Sequence, residues 1–376
     1  MEQILVCVMC VVMFWRAEGR LSLPSTVDDA ARRSCVVLAA SKHRSLRPYI
    51  ITASTDFDRV PHNVSDAQLV FSADHRVMFG RGTLRRDLGG PRLTRLLMSV
   101  RYAPQRRIPA GFFVNLERLL SLQLYHDAPN SAHFSLRLSA GAFEGLSEVG
   151  ELELGRLGIE DLRKGVFRGL SSVCRLDLSQ NRLNAIRSDV FQSVDTVATL
   201  TYPQCCGNLT VLALGQNRLV NVSAIELDGL RSLRSVDLYG NAISRLNRHS
   251  FGSSDSTSSE RGGFSSITQL NLGLNVIEQV DDSAMERLHR LRVLYLDGNM
   301  IRNVSAGMFR GLTALEALDL GANSISQLQA GVFAPLSSLK TLLLAENAIA
   351  TIQTGTVCVD RFKVLLRIGG LHVQVL

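Results

Sequence analysis

Along the greater part of the chain, apolar positions fall into one unit that returns again and again around a single polar amide. The stretch RLDLSQNRLNAI, residues 175–186, shows it: apolar positions on both sides, with Asn181 standing among them. The same arrangement recurs around Asn217, Asn241, Asn275, Asn299, Asn323 and Asn347, and four of the six intervals are 24 residues. The other two, 36 and 34, are one unit plus an insertion. A leucine stands three residues before each of these asparagines, Leu or Val five before, and Leu or Ile two after. Ten after come Phe191, Leu227, Phe251, Met285, Phe309, Phe333 and Val357. Extending the register outward, Leu157 and Leu371 take the place of the asparagine, the latter with Leu366 and Ile368 as its paired apolar positions. Further back, Leu119, Leu122 and Leu124 read as a strand, and Leu93, Leu96 and Met98 as another. Before residue 93 no period is visible.

An LxxLxLxxNxL core repeated at this period is the signature of leucine-rich repeats. It predicts an α/β solenoid: a horseshoe of 24-residue repeats with a parallel sheet on its concave wall and irregular or short helical segments on the convex side. Strands are expected at 152–154, 176–178, 212–214, 236–238, 270–272, 294–296, 318–320 and 342–344, with leucines inward and the residues between them outward. The asparagine follows from the same geometry. After each strand the chain turns away and leaves buried backbone groups in need of partners. An amide side chain offers both donor and acceptor, so stacked asparagines can bridge neighbouring coils.

The flanks of this array carry other signals. The first residues hold an apolar run from Ile4 to Trp15 and then Ala17-Glu18-Gly19, which reads as a secretory signal peptide over 1–19 and is too short to span a bilayer. No later run approaches the length of a membrane span. Residues 20–92 form an arginine-rich cap region, and 93–376 the solenoid, which is expected to stop at Leu376 without a C-terminal cap. In a secreted chain Asn63, Asn208, Asn221 and Asn303 are N-glycan acceptors, each in an Asn-x-Ser/Thr sequon. Asn221 and Asn303 both fall four residues after a ladder asparagine, hence on one flank. Five cysteines lie beyond the leader, an odd number. Cys174 begins one strand and Cys205 and Cys206 precede the next, so a disulfide from Cys174 to Cys205 or Cys206 is expected; histidines at zinc-ligand spacing are missing nearby.

The net charge of +7 is unevenly spread: residues 20–110 contribute +9 and residues 111–376 −1. An acidic partner or sulfated glycosaminoglycan suits the basic region; its lack of interleaved aromatics and of a phosphate loop argues against nucleic acid. On the wall, the column between the paired leucines reads Glu153, Asp177, Ala213, Asp237, Asn271, Tyr295, Asp319, Leu343, and the column after them Gly155, Ser179, Gly215, Tyr239, Gly273, Asp297, Gly321, Ala345. The cluster Asp237, Tyr239, Tyr295, Asp297 and Asp319 combines rigid aromatic area with negative charge, which suits a basic protein ligand. The two insertions, containing TLTYPQCCGN and GSSDSTSSERGG, emerge on one edge of the solenoid. No G-x-S-x-G, HExxH or paired carboxylate setting offers catalysis, so neither enzyme activity nor a cofactor or metal is expected.

The segments IPAGFFVNLERLLSLQL, LRLSAGAFEGLSEVGELELGRLGI, GVFRGLSSVCRLDLSQNRL and MFRGLTALEALDLGANSI resemble the extracellular repeats of arthropod Toll-type receptors. The resemblance covers residues 93–376. It implies a non-catalytic ectodomain at the cell surface that binds a protein ligand of the cystine-knot cytokine class and forms a receptor dimer to signal in immunity or development. Such receptors continue into a cysteine-rich cap, a membrane helix and a cytoplasmic TIR domain, which this sequence does not show. Their N-terminal cap holds paired cysteines, whereas here it has Cys35 alone. A soluble decoy and a secreted or surface adhesion or matrix protein are the alternatives.

Overall fold

The computed structural model describes residues 49–52, 66–70, 93–100, 106–114, 116–126, 134–191, 208–252, 263–352, 363–368 and 371–373. All of these belong to the unit Arg47–Leu376; Met1–Leu46 lie outside the described residues. The leader, the sequon at Asn63, both cysteines at 205 and 206, and the interiors of the two insertions also lie outside them.

Fourteen described strands form one sheet, ordered along the chain from Tyr49–Thr52 to Leu371–Val373. The repeat motif makes each strand short. In Arg175–Asp177 the leucine at 176 points inward with no exposure and Arg175 and Asp177 face outward in part. Leu178 closes the same pocket from below, fully buried. Each strand pairs in parallel with the equivalent positions of the next coil: Leu176 opposite Leu212, Leu212 opposite Val236, Val236 opposite Leu270, Leu270 opposite Leu294, Leu294 opposite Leu318, Leu318 opposite Leu342. The observed strands begin one residue before the expected ones (Val293–Tyr295, for example) because the outward residue ahead of the first leucine joins the ladder. The chain is thus a leucine-rich-repeat solenoid, and a stack of this kind gains about 1.5–3 kcal/mol from each leucine it buries.

Past each strand the chain turns at the residue before the ladder asparagine. Arg156, Gln180, Gln216, Leu274, Ala322 and Glu346 all hold positive φ there, and Gly240 and Gly298 fill the same column. A ring stack follows on the far side of the core. Phe113, Phe143, Phe167 and Phe191 lie face to face at 5.9, 5.9 and 5.8 Å between centroids, and Phe309 meets Phe333 at 5.6 Å. Among the described residues the helical elements are 3-10 turns, Ser188–Phe191, Val222–Ala224, Gly263–Ser266 and Ala306–Phe309. So short a segment holds a 3-10 turn and not an α-helix.

Two findings differ from the sequence reading. The sheet extends into the region before residue 93, where Tyr49–Thr52 pairs with Asp66–Val70, and that strand in turn pairs with Arg95–Ser99. Those strands lack the amide that marks the later repeats, so no period announced them. Near the other end, the register sets Val364 opposite Leu342 and Leu365 opposite Leu343, so Val364 and not Leu366 takes the first paired position. The run VLLRI has apolar residues at both spacings, and pattern alone does not fix register where both choices bury an apolar residue. The chain then folds back antiparallel, Leu366 opposite Val373.

Candidate functional site

The ladder asparagines are the frame on which the wall is hung. Asn299 donates from Nδ2 to the carbonyls of Leu272 and Leu296, each at 3.0 Å, and its Oδ1 accepts from the Ile277 N–H at 3.0 Å. One side chain therefore ties its own coil to the preceding one. Asn181, Asn217, Asn241, Asn275, Asn323 and Asn347 make the same contacts, Asn181 for instance donating to Leu154 and Leu178 and accepting from Leu157 and Ile159. The first five of the seven are buried and the last two half-buried. None of them faces the wall.

The parallel register brings the wall residues together in a row. Asp237, Asn271, Tyr295 and Asp319 are direct Cα partners across three successive strand pairs. Tyr239 and Asp297 stand one pleat further on, with Gly273 between them; Leu274 N–H donates to the Asp297 carbonyl at 2.8 Å and Gly240 N–H to the Gly273 carbonyl at 2.9 Å. The cluster is thus a single patch. Two of its aspartates also shape the strand ends. The carboxylate Oδ1 of Asp237 accepts from Tyr239 N–H at 3.0 Å and from Asn271 Nδ2 at 2.9 Å. Asp319 Oδ1 accepts from Gly321 N–H at 2.8 Å, and Asp177 does the same for Ser179. In each case an aspartate folds back on the amide two residues later, an Asx-turn-like bond that shapes the strand end. Asp237 and Asp319 are therefore structural as well as electrostatic. Tyr239, Tyr295 and Asp297 are all three half-buried.

Burial sets the electrostatics. It pushes the Asp237 carboxyl up to about 7, against the lowering effect of the Tyr239 and Asn271 donors, and the charge of Asp177 adds to the rise. The side chain keeps some contact with water but is walled in by neighbouring columns, so the effect on stability is smaller than full burial would give. Burial likewise raises the Tyr295 phenol, with the charges of Asp319 and Asp297 adding to it, so the phenol stays a neutral donor. Several of the bases are paired with acids of the neighbouring coil: Arg292 and Lys340 both meet Glu316, at 3.3 and 2.6 Å, and Arg175 meets Glu151 at 3.3 Å.

Glycines make the patch possible, a feature the sequence reading passed over. A Cβ on Gly273 would come within 2.7 Å of Asp297 Oδ1, and one on Gly215 within 3.2 Å of Asp237 Oδ2. The alternation of Gly with larger residues in the second wall column was the visible signal. Asn271, adjacent to Asp237, also belongs to the patch.

The other expected residues fall elsewhere. Asn208, Asn221 and Asn303 are exposed, and Asn208 Nδ2 donates to the Ser171 carbonyl at 3.3 Å. Cys174 is buried, with its Sγ donating to the Gly150 carbonyl at 3.2 Å; the cysteines expected to pair with it lie outside the described residues. In the basic region, Arg107 Nε donates to Ser139 Oγ at 2.8 Å and the Arg106 guanidinium lies over the Phe134 ring, so both are engaged with the solenoid. Among the described residues no group of three or more His, Cys, Asp or Glu is placed to hold a metal ion, and no helix is long and apolar enough to cross a membrane.

Comparison with known proteins agrees with this architecture. The family model described as leucine rich repeat matches residues 147–201 and 290–349. Nephrocan of Mus musculus is 40% identical over 96 residues, which is 26% of this chain and 16% of that protein. Among solved structures, the chain is similar to the Toll–Spatzle complex of Drosophila in its glycosylated form, with a TM-score of 0.57, 19% identity, and coverage of 85% of this chain and 43% of the other. It is similar also to the TLR13–ssRNA13 complex, with a TM-score of 0.63, 19% identity, and coverage of 86% and 44%. The chain spans less than half the length of each of these structures and a sixth of the curated relative. At such identities the likeness is one of fold.

Proposed function

We propose that the chain is the ligand-binding part of an extracellular Toll-type receptor, and that the wall from Ser235–Asp237 to Ala317–Asp319 recognises a basic protein ligand of the cystine-knot cytokine class. The observation that carries the reading is the patch itself: Tyr239, Tyr295 and Asp297 grouped over a glycine floor, backed by Asp237 and Asp319, with no base in either wall column. Aromatic residues supply contact area at little entropic cost, and a one-sign field steers an oppositely charged partner. The same field repels phosphates, so a nucleic-acid ligand does not fit this wall. Receptor dimerisation, extracellular location and a role in immune or developmental signalling follow from the same reading. The alternatives, a soluble decoy and a matrix protein that holds glycosaminoglycan at its basic N-terminal region, predict respectively the same wall chemistry without signalling and heparin retention through the arginines of 76–107.

The test uses the triple variant Tyr239→Ala/Tyr295→Ala/Asp297→Ala. Asp319 is left in place because it holds the Gly321 amide. Affinity for a cystine-knot cytokine of the Spätzle type should fall at least about thirtyfold, the loss of about 2 kcal/mol at a hot spot. Thermal unfolding should be unchanged. Unaltered binding, or tighter binding of single-stranded RNA than of protein, would remove the wall assignment.

A further inference from the structure

We propose that Asn303 carries an N-linked glycan and that the notch beside it seats the glycan's first sugar; the proposal rests on the secretory reading above. Four residues after each ladder asparagine, the chain runs along a second, outer edge of the solenoid. There Arg245–Leu246 pairs in parallel with Gln279–Val280, and Gln327–Leu328 pairs with Thr351–Ile352. Asn303 and Val304 occupy the intervening coil but form no such strand, so this ladder is interrupted between Val280 and Gln327. The interruption leaves a notch of about 380 Å³. Its polar walls are Glu278, Gln279, Gln327 and Gln329, all exposed, and Val280 and Val304 lie deeper.

That lining matches an N-acetylglucosamine ring. Glutamine amides both donate and accept, as the sugar's hydroxyls and acetamide require, and the valines suit its methyl and its apolar ring face. Asn303-Val304-Ser305 is an acceptor sequon, and Asn303 points outward while Val304 points in. The folded structure has already committed the sequon hydroxyl. Ser305 Oγ donates to Asp282 Oδ1 at 2.6 Å and accepts from Met308 N–H at 3.2 Å, capping the turn Ala306–Phe309. Sugar transfer therefore belongs to the chain before this turn closes, and closure then sets the sugar against the notch. Asn221 is the internal control: it holds the equivalent place in its own coil, is exposed, and makes no side-chain cap bond to the turn that follows.

The full chain is expressed through the secretory route of a eukaryotic cell, and glycopeptides are read by mass spectrometry. Both Asn221 and Asn303 should be occupied. Treated with peptide N-glycosidase in the native state, Asn303 should be released about tenfold more slowly than Asn221, the protection that one or two net hydrogen bonds give, and the difference should vanish on denaturation. Gln279→Ala/Gln327→Ala should bring the native rate at Asn303 up to that at Asn221 with the unfolding temperature unchanged. Occupied Asn221 with bare Asn303, or equal native release rates, overturns the proposal and leaves the secretory reading standing. A slow rate that persists in the double variant overturns the notch as the seat. Bare asparagines at both positions overturn the proposal together with the secretory reading.

Discussion

Asp237 shows how one residue serves strand geometry and wall charge at once. Its carboxylate accepts the Tyr239 and Asn271 donors, yet burial raises its proton affinity to about 7 from the ordinary 3.8. Between about pH 4 and 7 the folded protein therefore holds a proton that the unfolded chain has already released. Its stability falls as pH rises through that window, since a group whose folded pKa is raised favours the folded state only while protonated. Asp237→Asn keeps an acceptor oxygen and removes the charge. The variant should unfold at a higher temperature than the parent at pH 8, by about 1–2 kcal/mol in stability once partial hydration is discounted, and at the same temperature at pH 4. Thermal melts across this range check it; a variant less stable than the parent at pH 8 would show that the ionised carboxylate is the preferred acceptor. The role of Asp237 in the strand end was not legible in the sequence. Asp177, Asp237 and Asp319 carry the same letters whether an aspartate meets a ligand or its own backbone, and only the fold-back distances separate the two.

At the level of the repeat, the sequence announced what recurs once per coil and stayed silent on what varies. The strands, the amide ladder and the ring stack each depend on one residue type at one position, so the period exposes them. Phe264 shows the limit: it follows the second insertion, outside any fixed spacing, yet it is buried and meets Phe251 edge-on at 5.2 Å. Leu274 is another case. It holds a turn position with φ of 48° that its neighbours fill with Gly240 and Gly298, and it remains exposed. The turn glycines separate two causes of strain. Gly311, at φ 86°, has no room, because a Cβ would run into the Glu286 backbone; Gly331, at φ 72°, has nothing within 4 Å. Gly331→Ala should cost only the left-handed penalty, about 1–2 kcal/mol. Gly311→Ala should cost that and a backbone shift besides, about 3 kcal/mol or more. Urea unfolding of the two variants measures the difference, and equal losses would mean that the Glu286 segment yields freely.

Along the solenoid each described strand pairs with its neighbours in the stack, so damage should remain local. The sequence conveyed this architecture through its period, though not the extension of the sheet back to Tyr49 or the register at Val364, where the marking amide is missing. Asn299→Leu gives the architecture a direct test. Leucine is close in size but cannot bond, so the substitution strands the Ile277 N–H and removes one of the two amide donors to each of the Leu272 and Leu296 carbonyls, which keep Asn275 and Asn323, at about 1–3 kcal/mol. In a solenoid whose stability is a sum of coil and nearest-neighbour terms, that loss lowers the opening free energy of the coils it joins. Amide exchange should therefore quicken in the strands Gln269–Asn271 and Val293–Tyr295. The strands Glu151–Glu153 and Arg175–Asp177, several coils away, should exchange as in the parent. Hydrogen–deuterium exchange read by mass spectrometry resolves these segments. Uniform acceleration from residue 151 to residue 343 would mean that the stack opens as one unit, and the nearest-neighbour description would then fail for this protein.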